Sequence, residues 1–95
     1  MFSDVRFAQT SNEQEIAYRV MPKGDGPTIL HTASGTFPID LLDEDPMYGR
    51  FLRTLGGCGR LVVYDKPSVG SSDPVDRSRD FHEQMAEAYL AVLDA

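Results

Sequence analysis

The first twenty-one residues contain two runs in which apolar and polar side chains alternate. The runs cover residues 5–10 and 15–21, and a short polar segment, residues 11–14, separates them. Alternation of this kind is typical of a strand with one buried face, and two such strands joined by a short polar link favour an antiparallel hairpin. We therefore predict a β-hairpin within residues 1–21.

Two further strands are predicted by apolar runs rather than by alternation. Residues 28–32, with the sequence TILHT, form a short and mostly apolar run that follows the Pro/Gly-rich segment 22–27. Residues 60–65, with the sequence RLVVYD, have a β-branched apolar centre, which gives the strongest strand prediction in the chain. Runs of this kind are typical of strands buried on both faces, as in a parallel sheet.

A helix is predicted between these two strands. Asp45 and Pro46 suit its N-cap and first helical position. Apolar residues then recur every fourth position, with Tyr48 and Leu52 beside them: Met47, Phe51 and Leu55. This spacing predicts a buried stripe. We expect the helix to end at Gly56-Gly57, with a glycine in the left-handed conformation.

A second helix is predicted from Asp80 to the last residue of the sequence. Asp80 and Glu83 have the spacing of a capping box. Five residues mark one predicted face of this helix: Phe81, Met85, Ala88, Tyr89 and Val92.

The order of elements predicts an α/β fold with about four strands and two helices. An N-terminal hairpin, residues 1–21, is followed by a β-α-β-α unit over residues 28–95. A strand, a helix of about three turns and another strand imply a right-handed crossover and a parallel pair. A chain of 95 residues accommodates one small domain, so we expect a single domain over residues 1–95.

Composition excludes several classes of protein. No apolar run approaches the roughly 20 residues that span a bilayer, and the first residues lack the basic and apolar regions of a secretory signal. The only cysteine, Cys58, cannot form an internal disulfide, and no cluster of Cys and His has metal-ligand spacing. We therefore expect a cytoplasmic protein with no metal and no cofactor.

Charge narrows the choice of partners. Fifteen acidic and nine basic residues give a formal net charge of −6. The basic residues are scattered and form no run that would neutralise a line of phosphates. We therefore expect neither a nucleic acid nor an anionic membrane as partner.

Three segments carry a resemblance to a known family. They are residues 29–35 (ILHTASG) with 41–46 (LLDEDP), residues 64–74 (YDKPSVGSSDP), and residues 83–95 (EQMAEAYLAVLDA). In this order they resemble the N-terminal part of the α/β-hydrolase superfamily. The similarity is greatest to its esterase-like branch, which includes domains fused to nucleotide cyclase or transcription-regulator modules. The resemblance extends over almost the whole chain and implies a partial three-layer α/β-hydrolase sheet.

The resemblance implies an activity for whole relatives and the absence of that activity from this chain alone. Whole relatives hydrolyse ester-like bonds through a Ser-His-Asp triad and an acyl-enzyme, while other members of the superfamily use an Asp nucleophile. Their nucleophile lies in a G-x-S-x-G turn on the next strand, with the acid and the histidine later in the chain. This sequence contains no G-x-S-x-G. We therefore expect no catalytic residue in the chain, no activity by the chain alone, and an ester-like small-molecule substrate only after completion by a C-terminal part.

One functional element of the family has a counterpart here. The loop after the third strand supplies a backbone N–H to the oxyanion hole of the relatives. Ser34, Gly35 and Thr36 occupy this region, although the family usually has His-Gly or Pro-Gly there. They are the candidate donors, and a plain strand-to-helix loop is the alternative.

The loop after the fourth predicted strand departs from the family as well. Ser68 stands where relatives often have Gly, and Pro67 where they often have Arg. If that position requires a positive φ, a serine carries a conformational cost that a glycine avoids.

A triad assembled from residues within the chain is an alternative source of catalysis. It would combine one serine, one histidine and one carboxylate from these candidates: Ser71 or Ser72, His31 or His82, and Asp65 or Asp73. Sequence does not show the geometry that defines a triad. We expect His31 to be a core or loop-facing residue, His82 to be exposed, and Cys58 to be a turn residue.

A second function is compatible with the same resemblance. In the strand order of the family, the third strand lies between the fourth and a fifth that is absent from this sequence. The strand Thr28–Thr32 would then be an apolar edge, which is a template for pairing with another strand. The alternative hypothesis is a non-catalytic interaction module that pairs through this edge with itself or with a complementary half.

Overall fold

The computed structural model describes residues 2–21, 26–32 and 38–95. The strands are β1 (Arg6–Gln9), β2 (Glu15–Met21), β3 (Thr28–Thr32) and β4 (Arg60–Tyr64). The α-helices are α1 (Pro46–Gly56) and α2 (Phe81–Asp94). A 3₁₀ helix over Ile39–Glu44, which the hydrophobic pattern did not predict, precedes α1. The predicted α/β class, with four strands and two α-helices in this order, is confirmed. Neither described α-helix is long and apolar enough to cross a membrane.

The N-terminal hairpin is closed by a turn built around Thr10. The backbone N–H of Thr10 donates to the carbonyl of Gln14 (2.8 Å), and its hydroxyl accepts from the N–H of Gln14 (3.1 Å). Glu13 takes a positive φ of 64° in this turn. These contacts set the antiparallel register, in which Phe7 lies opposite Ala17.

The four strands form one mixed sheet in the order β1-β2-β4-β3. β2 pairs antiparallel with β4, and β3 pairs parallel with β4, with Leu30 opposite Val62. The predicted parallel pair is therefore present, and α1 lies in the connection between its two strands. β3 lies at one edge of the sheet and β1 at the other.

Each face of the sheet has its own apolar core. On the face covered by α2 the buried residues are Ala8, Ile16, Val20, Val62, Tyr64, Ala88 and Val92. On the face covered by the 3₁₀ helix and α1 they are Ala17, Met21, Ile39, Leu42, Leu52, Leu61 and Val63. The chain is thus a three-layer structure in which β2 and β4 supply both cores, as their apolar composition requires.

The start of α1 was predicted correctly, but its buried face was not. Asp45 caps the helix by accepting from the backbone N–H groups of Met47 (3.0 Å) and Tyr48 (3.1 Å). Met47 is 84% exposed and Phe51 is 50% exposed, whereas Leu52 is fully buried. The helix carries two apolar stripes side by side, and the stripe that contains Leu52 packs against the sheet.

The face of α2 was predicted in part. Asp80 caps the helix by accepting from the N–H of Glu83 at 2.9 Å. Ala88 and Val92 are buried as expected, while Phe81 and Tyr89 are exposed. Gln84 lies on the same helical face as Ala88 and Val92 and is fully buried. Its side-chain amide accepts from the N–H of Asp76 and donates to the carbonyl of Asp76, which satisfies the buried polar group.

α1 ends at Gly56-Gly57 as predicted, but without a glycine in the left-handed conformation. Gly57 has φ −72°, a right-handed conformation, and its N–H donates to the carbonyls of Arg53 and Thr54 at 3.2 Å each. A glycine is required two residues later for another reason. A Cβ on Gly59 would overlap the carbonyl oxygen of Pro27, which accepts from the N–H of Arg60 at 3.0 Å. The missing side chain lets β4 begin directly against the start of β3.

We expect Gly59→Ala to lower the free energy of unfolding by about 2 kcal/mol, because backbone atoms cannot make room for the added methyl group. Gly57→Ala is the matched control. It introduces the same methyl group at a right-handed position and should change stability by no more than about 0.5 kcal/mol. Urea unfolding followed by far-UV circular dichroism measures both. Equal stability of the two variants would contradict the close approach at Gly59.

Candidate functional site

The candidate site lies at the carboxyl ends of β3 and β4. The two strands are parallel, so their carboxyl ends lie at the same end of the sheet. Ligands bind at this end in open α/β sheets. The segment after β3 contains the candidate oxyanion donors Ser34, Gly35 and Thr36, which lie outside the described residues. The chain is described again from residue 38, at the start of the 3₁₀ helix.

Asp65 connects the segments at this end of the sheet. It follows β4 directly and is 1% exposed. Its Oδ1 accepts from the backbone N–H of Ile39 at 2.9 Å, and its Oδ2 accepts from the N–H of Ser71 at 3.1 Å. One carboxylate therefore joins the start of the 3₁₀ helix to the loop that follows β4.

The ionisation of Asp65 reflects two opposing effects. Burial raises the pKa of this carboxyl above its usual value, and the nearby carboxylate of Asp40 raises it further. The hydrogen bonds from Ile39 and Ser71 favour the charged form and lower the pKa in part. Because both oxygens accept from the backbone, the group serves as an anchor between two segments.

Ser72 and Asp73 continue the sheet past the end of β4. The buried hydroxyl of Ser72 donates to the carbonyl of Asp65 (2.6 Å) and accepts from the N–H of Ala17 (2.8 Å). Asp73 exchanges two hydrogen bonds with Glu15, one through its N–H (2.9 Å) and one through its carboxylate (2.8 Å). These two candidate catalytic residues thus complete the hydrogen bonding of β2.

The loop between Asp65 and Ser72 contains two residues with positive φ. Ser68 has φ 69°, the conformation in which a serine carries a cost that a glycine avoids. Its hydroxyl accepts from the N–H of Val75 at 2.7 Å. Gly70 has φ 53°, and a Cβ there would overlap the carboxylate of Asp65. The loop therefore wraps closely around the buried carboxylate.

His31 lies on the α1 face of β3. Its Nε2 is 2.7 Å from the hydroxyl oxygen of Tyr48, and its ring makes edge contacts with the rings of Tyr48 (5.9 Å between centroids) and Phe51 (5.7 Å). Burial lowers the pKa of the imidazole below its usual value. The expected core or loop-facing histidine is thus half-buried and held by α1.

Three hydroxyl groups meet on the opposite face of β3. The hydroxyl of Thr32 donates to that of Tyr64 (3.1 Å) and lies 3.0 Å from that of Tyr89. Burial, as the largest cause, raises the pKa of Tyr64 to about 12. In the sequence, Tyr89 falls on the predicted face of the last helix and Tyr64 lies in the apolar run 60–65, and neither position indicates this cluster. No local pattern connects Thr32 with a residue on the last helix.

The structure does not bring the alternative triad candidates together. In the described part of the chain, no hydrogen bond joins His31 or His82 to Ser71 or Ser72. His82 is exposed at the start of α2, with its ring against Phe81. Cys58 is exposed in the turn after α1, as expected. Among the residues that the structure describes, no group of three or more His, Cys, Asp or Glu side chains could hold a metal ion.

We expect Asp65→Asn to lower the free energy of unfolding by about 2 kcal/mol. The amide nitrogen of Asn would face the N–H of either Ile39 or Ser71 and leave that donor without its bond to the buried side chain. Asp40→Asn, at an exposed position, is the control and should cost no more than about 0.5 kcal/mol. Denaturant titrations of the two variants measure the difference. A wild-type midpoint for Asp65→Asn would argue against the anchoring role.

The conformational cost at Ser68 is measured by comparing two variants. Ser68→Ala and Ser68→Gly both lose the hydroxyl that bonds Val75, but only the glycine relieves the positive φ. We expect Ser68→Gly to be the more stable variant by about 1 kcal/mol, measured by thermal unfolding. If the alanine variant is equally stable, the left-handed conformation at this position carries no cost.

No protein-family model matches the sequence, and no curated protein matches it significantly. Solved structures do match. A hydrolase from Pseudomonas aeruginosa PA01 superimposes with a TM-score of 0.73 and 25% identity, over 97% of this chain and 32% of that one.

Two further structures are more distant in sequence. A haloalkane dehalogenase loop variant from Bradyrhizobium elkanii matches with a TM-score of 0.70 and 18% identity, over 99% of this chain and 28% of the other. The α/β hydrolase domain-containing protein 10 from mouse matches with a TM-score of 0.65 and 20% identity, over 97% and 35%.

The chain spans about a third of the length of the structures that it matches. The superpositions cover nearly the whole chain, which consists of a hairpin followed by a β-α-β-α unit. This chain therefore has the N-terminal part of the α/β-hydrolase fold.

Proposed function

We propose that this chain is the N-terminal part of a hydrolase that acts on ester-like bonds of small molecules. In this proposal the segment Ser34, Gly35 and Thr36 donates one backbone N–H to the oxyanion of the tetrahedral intermediate. The observation that carries the proposal is the anchoring of the chain on both sides of that segment.

The anchors hold the residues that flank the candidate loop. Before it, the hydroxyl of Thr32 bonds Tyr64 and Tyr89. After it, Ile39 is fixed through both of its backbone polar groups: its N–H donates to Asp65, and its carbonyl accepts from the guanidinium of Arg19 at 2.9 Å. An oxyanion donor is effective when its position is fixed before the charge develops. The structure supports this requirement at the two flanking residues that it describes, Thr32 and Ile39.

A backbone donor also tolerates the departure from the family's usual residues. The N–H group is the same in Ser34, Gly35 and Thr36, so the missing His-Gly or Pro-Gly pair does not remove the donor. In the proposed reaction, a serine hydroxyl attacks the ester carbonyl, the alcohol leaves, and water then releases the acid from the acyl-enzyme. This chain contributes charge stabilisation to both tetrahedral intermediates.

The nucleophile, the histidine and the acid are proposed to come from outside this sequence. The sequence has no G-x-S-x-G, and the serine hydroxyl of Ser72 and the imidazole of His31 have other partners in the structure. A hydrolase and a haloalkane dehalogenase share this fold, so the fold alone does not choose the reaction. The resemblance of the sequence to the esterase-like branch favours esters.

The chain alone should therefore not hydrolyse p-nitrophenyl acetate. We expect the release of p-nitrophenol by purified protein to equal that by the Ser71→Ala variant and by buffer. Turnover that Ser71→Ala or Ser72→Ala abolishes would show a nucleophile within the chain and would overturn this part of the proposal.

The oxyanion role is tested in a chimera. In it, this chain replaces the matching third of the Pseudomonas aeruginosa hydrolase, and the assay uses a substrate that the unmodified enzyme turns over. Proline at one of positions 34, 35 and 36 removes the donor and should lower kcat by about 10²–10³. Alanine at the same position keeps the N–H and is the matched control. A folded but inactive chimera, or three active proline variants, would contradict the proposal.

A second candidate function is that of an interaction module that pairs through β3. The specific observation in its favour is the position of β3 at the edge of the sheet, where no strand in the described ranges pairs with its outer side. An unpaired edge offers a row of backbone donors and acceptors to another strand.

A further inference from the structure

We propose that Arg19 is a positioning residue for the proposed reaction: its guanidinium connects the N-terminal residues Phe2 and Ser3 to Ile39 and so sets the direction of the chain beside the oxyanion donor. The inference rests on the proposed function, because it concerns the donor segment 34–36. It adds to the site a residue of β2, a strand that contributes none of the candidate catalytic or donor residues.

The side chain of Arg19 leaves β2 on the face of the sheet that α1 covers. Its neighbours on that face of the strand, Ala17 and Met21, are buried in the core of this layer, and Arg19 itself is partly buried. A guanidinium in such a place requires hydrogen-bond acceptors, because a partly desolvated charge without partners is costly. The acceptors of Arg19 therefore identify what the residue holds.

Two backbone carbonyl groups accept hydrogen bonds from Arg19. Its Nε donates to the carbonyl of Ser3 and its Nη1 to the carbonyl of Ile39, each at 2.9 Å. Its Cζ lies 5.2 Å from the centre of the Phe2 ring, within the range in which an aromatic face attracts a cation. The planar guanidinium donates in several fixed directions, so one side chain links the N-terminal residues to the 3₁₀ helix.

The N-terminal residues that contact Arg19 are themselves restrained. The N–H of Ser3 donates to the carbonyl of Val20 at 2.7 Å, and its hydroxyl accepts from the N–H of Val20 at 3.0 Å. The ring of Phe2 packs against the core on the α1 side of the sheet. The guanidinium therefore reaches Ile39 from a position that Phe2 and Ser3 fix.

Ile39 has a second restraint through Asp65, whose carboxylate accepts from its N–H at 2.9 Å. The N–H and the carbonyl of one residue belong to consecutive peptide groups, so the two bonds together fix the direction of the chain as well as its position. Thr36 is three residues before Ile39, and at most about 11 Å of backbone separates them. A change of direction at Ile39 would therefore displace the proposed donor.

The catalytic role is tested in the chimera with the Pseudomonas aeruginosa hydrolase. Arg19→Met keeps an apolar stem and removes the donors. We expect it to lower kcat by about tenfold with little change in KM, because the oxyanion develops only after the substrate has bound. Arg6→Met is the matched control. It makes the same change at an exposed position of β1 and should alter neither kcat nor KM.

A double variant separates positioning from a general effect on the structure. The chimera that carries the inactivating proline at position 34, 35 or 36 already lacks the donor. Arg19→Met should not lower its kcat further, because the group through which Arg19 acts is absent. An equal fold-loss of kcat with and without the proline would overturn the positioning role. A rise in KM at unchanged kcat would do the same.

The link between Arg19 and Ile39 is measured in this chain without the chimera. Arg19→Met should increase the hydrogen-exchange rate of the Ile39 N–H by about tenfold, because one of the two bonds that restrain this residue is lost. Arg6→Met should leave that rate unchanged. Nuclear magnetic resonance measures the exchange of the single amide, and an unchanged rate in Arg19→Met would contradict the link.

Arg19→Lys keeps the test decisive if Arg19→Met does not fold, as judged by circular dichroism. Lysine retains the charge, but its single ammonium group does not reproduce the two fixed donor directions of the guanidinium. We expect kcat to fall in this variant as well, and a wild-type kcat would overturn the proposal.

The proline variants distinguish this inference from the proposed function. If proline lowers kcat and neither Arg19 variant does, only the positioning role fails. If no proline at positions 34–36 lowers kcat, the oxyanion role itself fails, whatever the effect of Arg19.

Discussion

The buried carboxylate of Asp65 accepts one backbone N–H from each of two segments that are distant in sequence, at Ile39 and at Ser71. Ile39 begins the 3₁₀ helix, and Ser71 lies in the loop that follows β4. A buried carboxylate bonded to two amides is a strong constraint, because removing either bond leaves a desolvated group without a partner. The position of the 3₁₀ helix, the close wrapping of the loop at Gly70 and the exit of the chain from β4 all depend on it.

The four strands differ in how completely they are paired and covered. β4 and β2 are the two central strands, and β4 contributes residues to both cores. Because it is buried on both faces, its apolar run is enough to identify it as a strand in the sequence. β3 has only one described neighbour, and its partly buried residues Ile29 and Leu30 pack against different cores. The helices cover this strand with side chains that remain half-exposed, including Phe51 and Tyr89. The layers are complete over β2 and incomplete over β3.

Most of the fold could be predicted from sequence because the signals for its elements are local. Alternation gives the hairpin, and Asp45 and Asp80 give the helix starts through bonds within three residues. The buried faces of α1 and α2 were harder, since each helix carries more apolar residues than one face holds and the sheet selects among them. Gly59 shows a related limit: its role depends on Pro27, which local sequence does not reveal.

The candidate site also contains features that the sequence predicted and features that it did not. The strand-end Asp65 and the cost at Ser68 could be anticipated from the resemblance of residues 64–74 to a family, and the structure shows the positive φ that the serine adopts. The meeting of Thr32 with Tyr89 could not, because it requires the packing of the last helix on the third strand.

β2 has hydrogen-bond partners beyond the ends of both neighbouring strands. Ser72 and Asp73 bond it where β4 has ended, and Ser3 bonds Val20 through its N–H (2.7 Å) and its hydroxyl (3.0 Å) where β1 no longer runs beside it. The longest strand is therefore enclosed along its length by two short strands and a few side chains. When the molecule opens, the outer strands can separate one at a time, while β2 loses its last contacts only when the whole sheet comes apart.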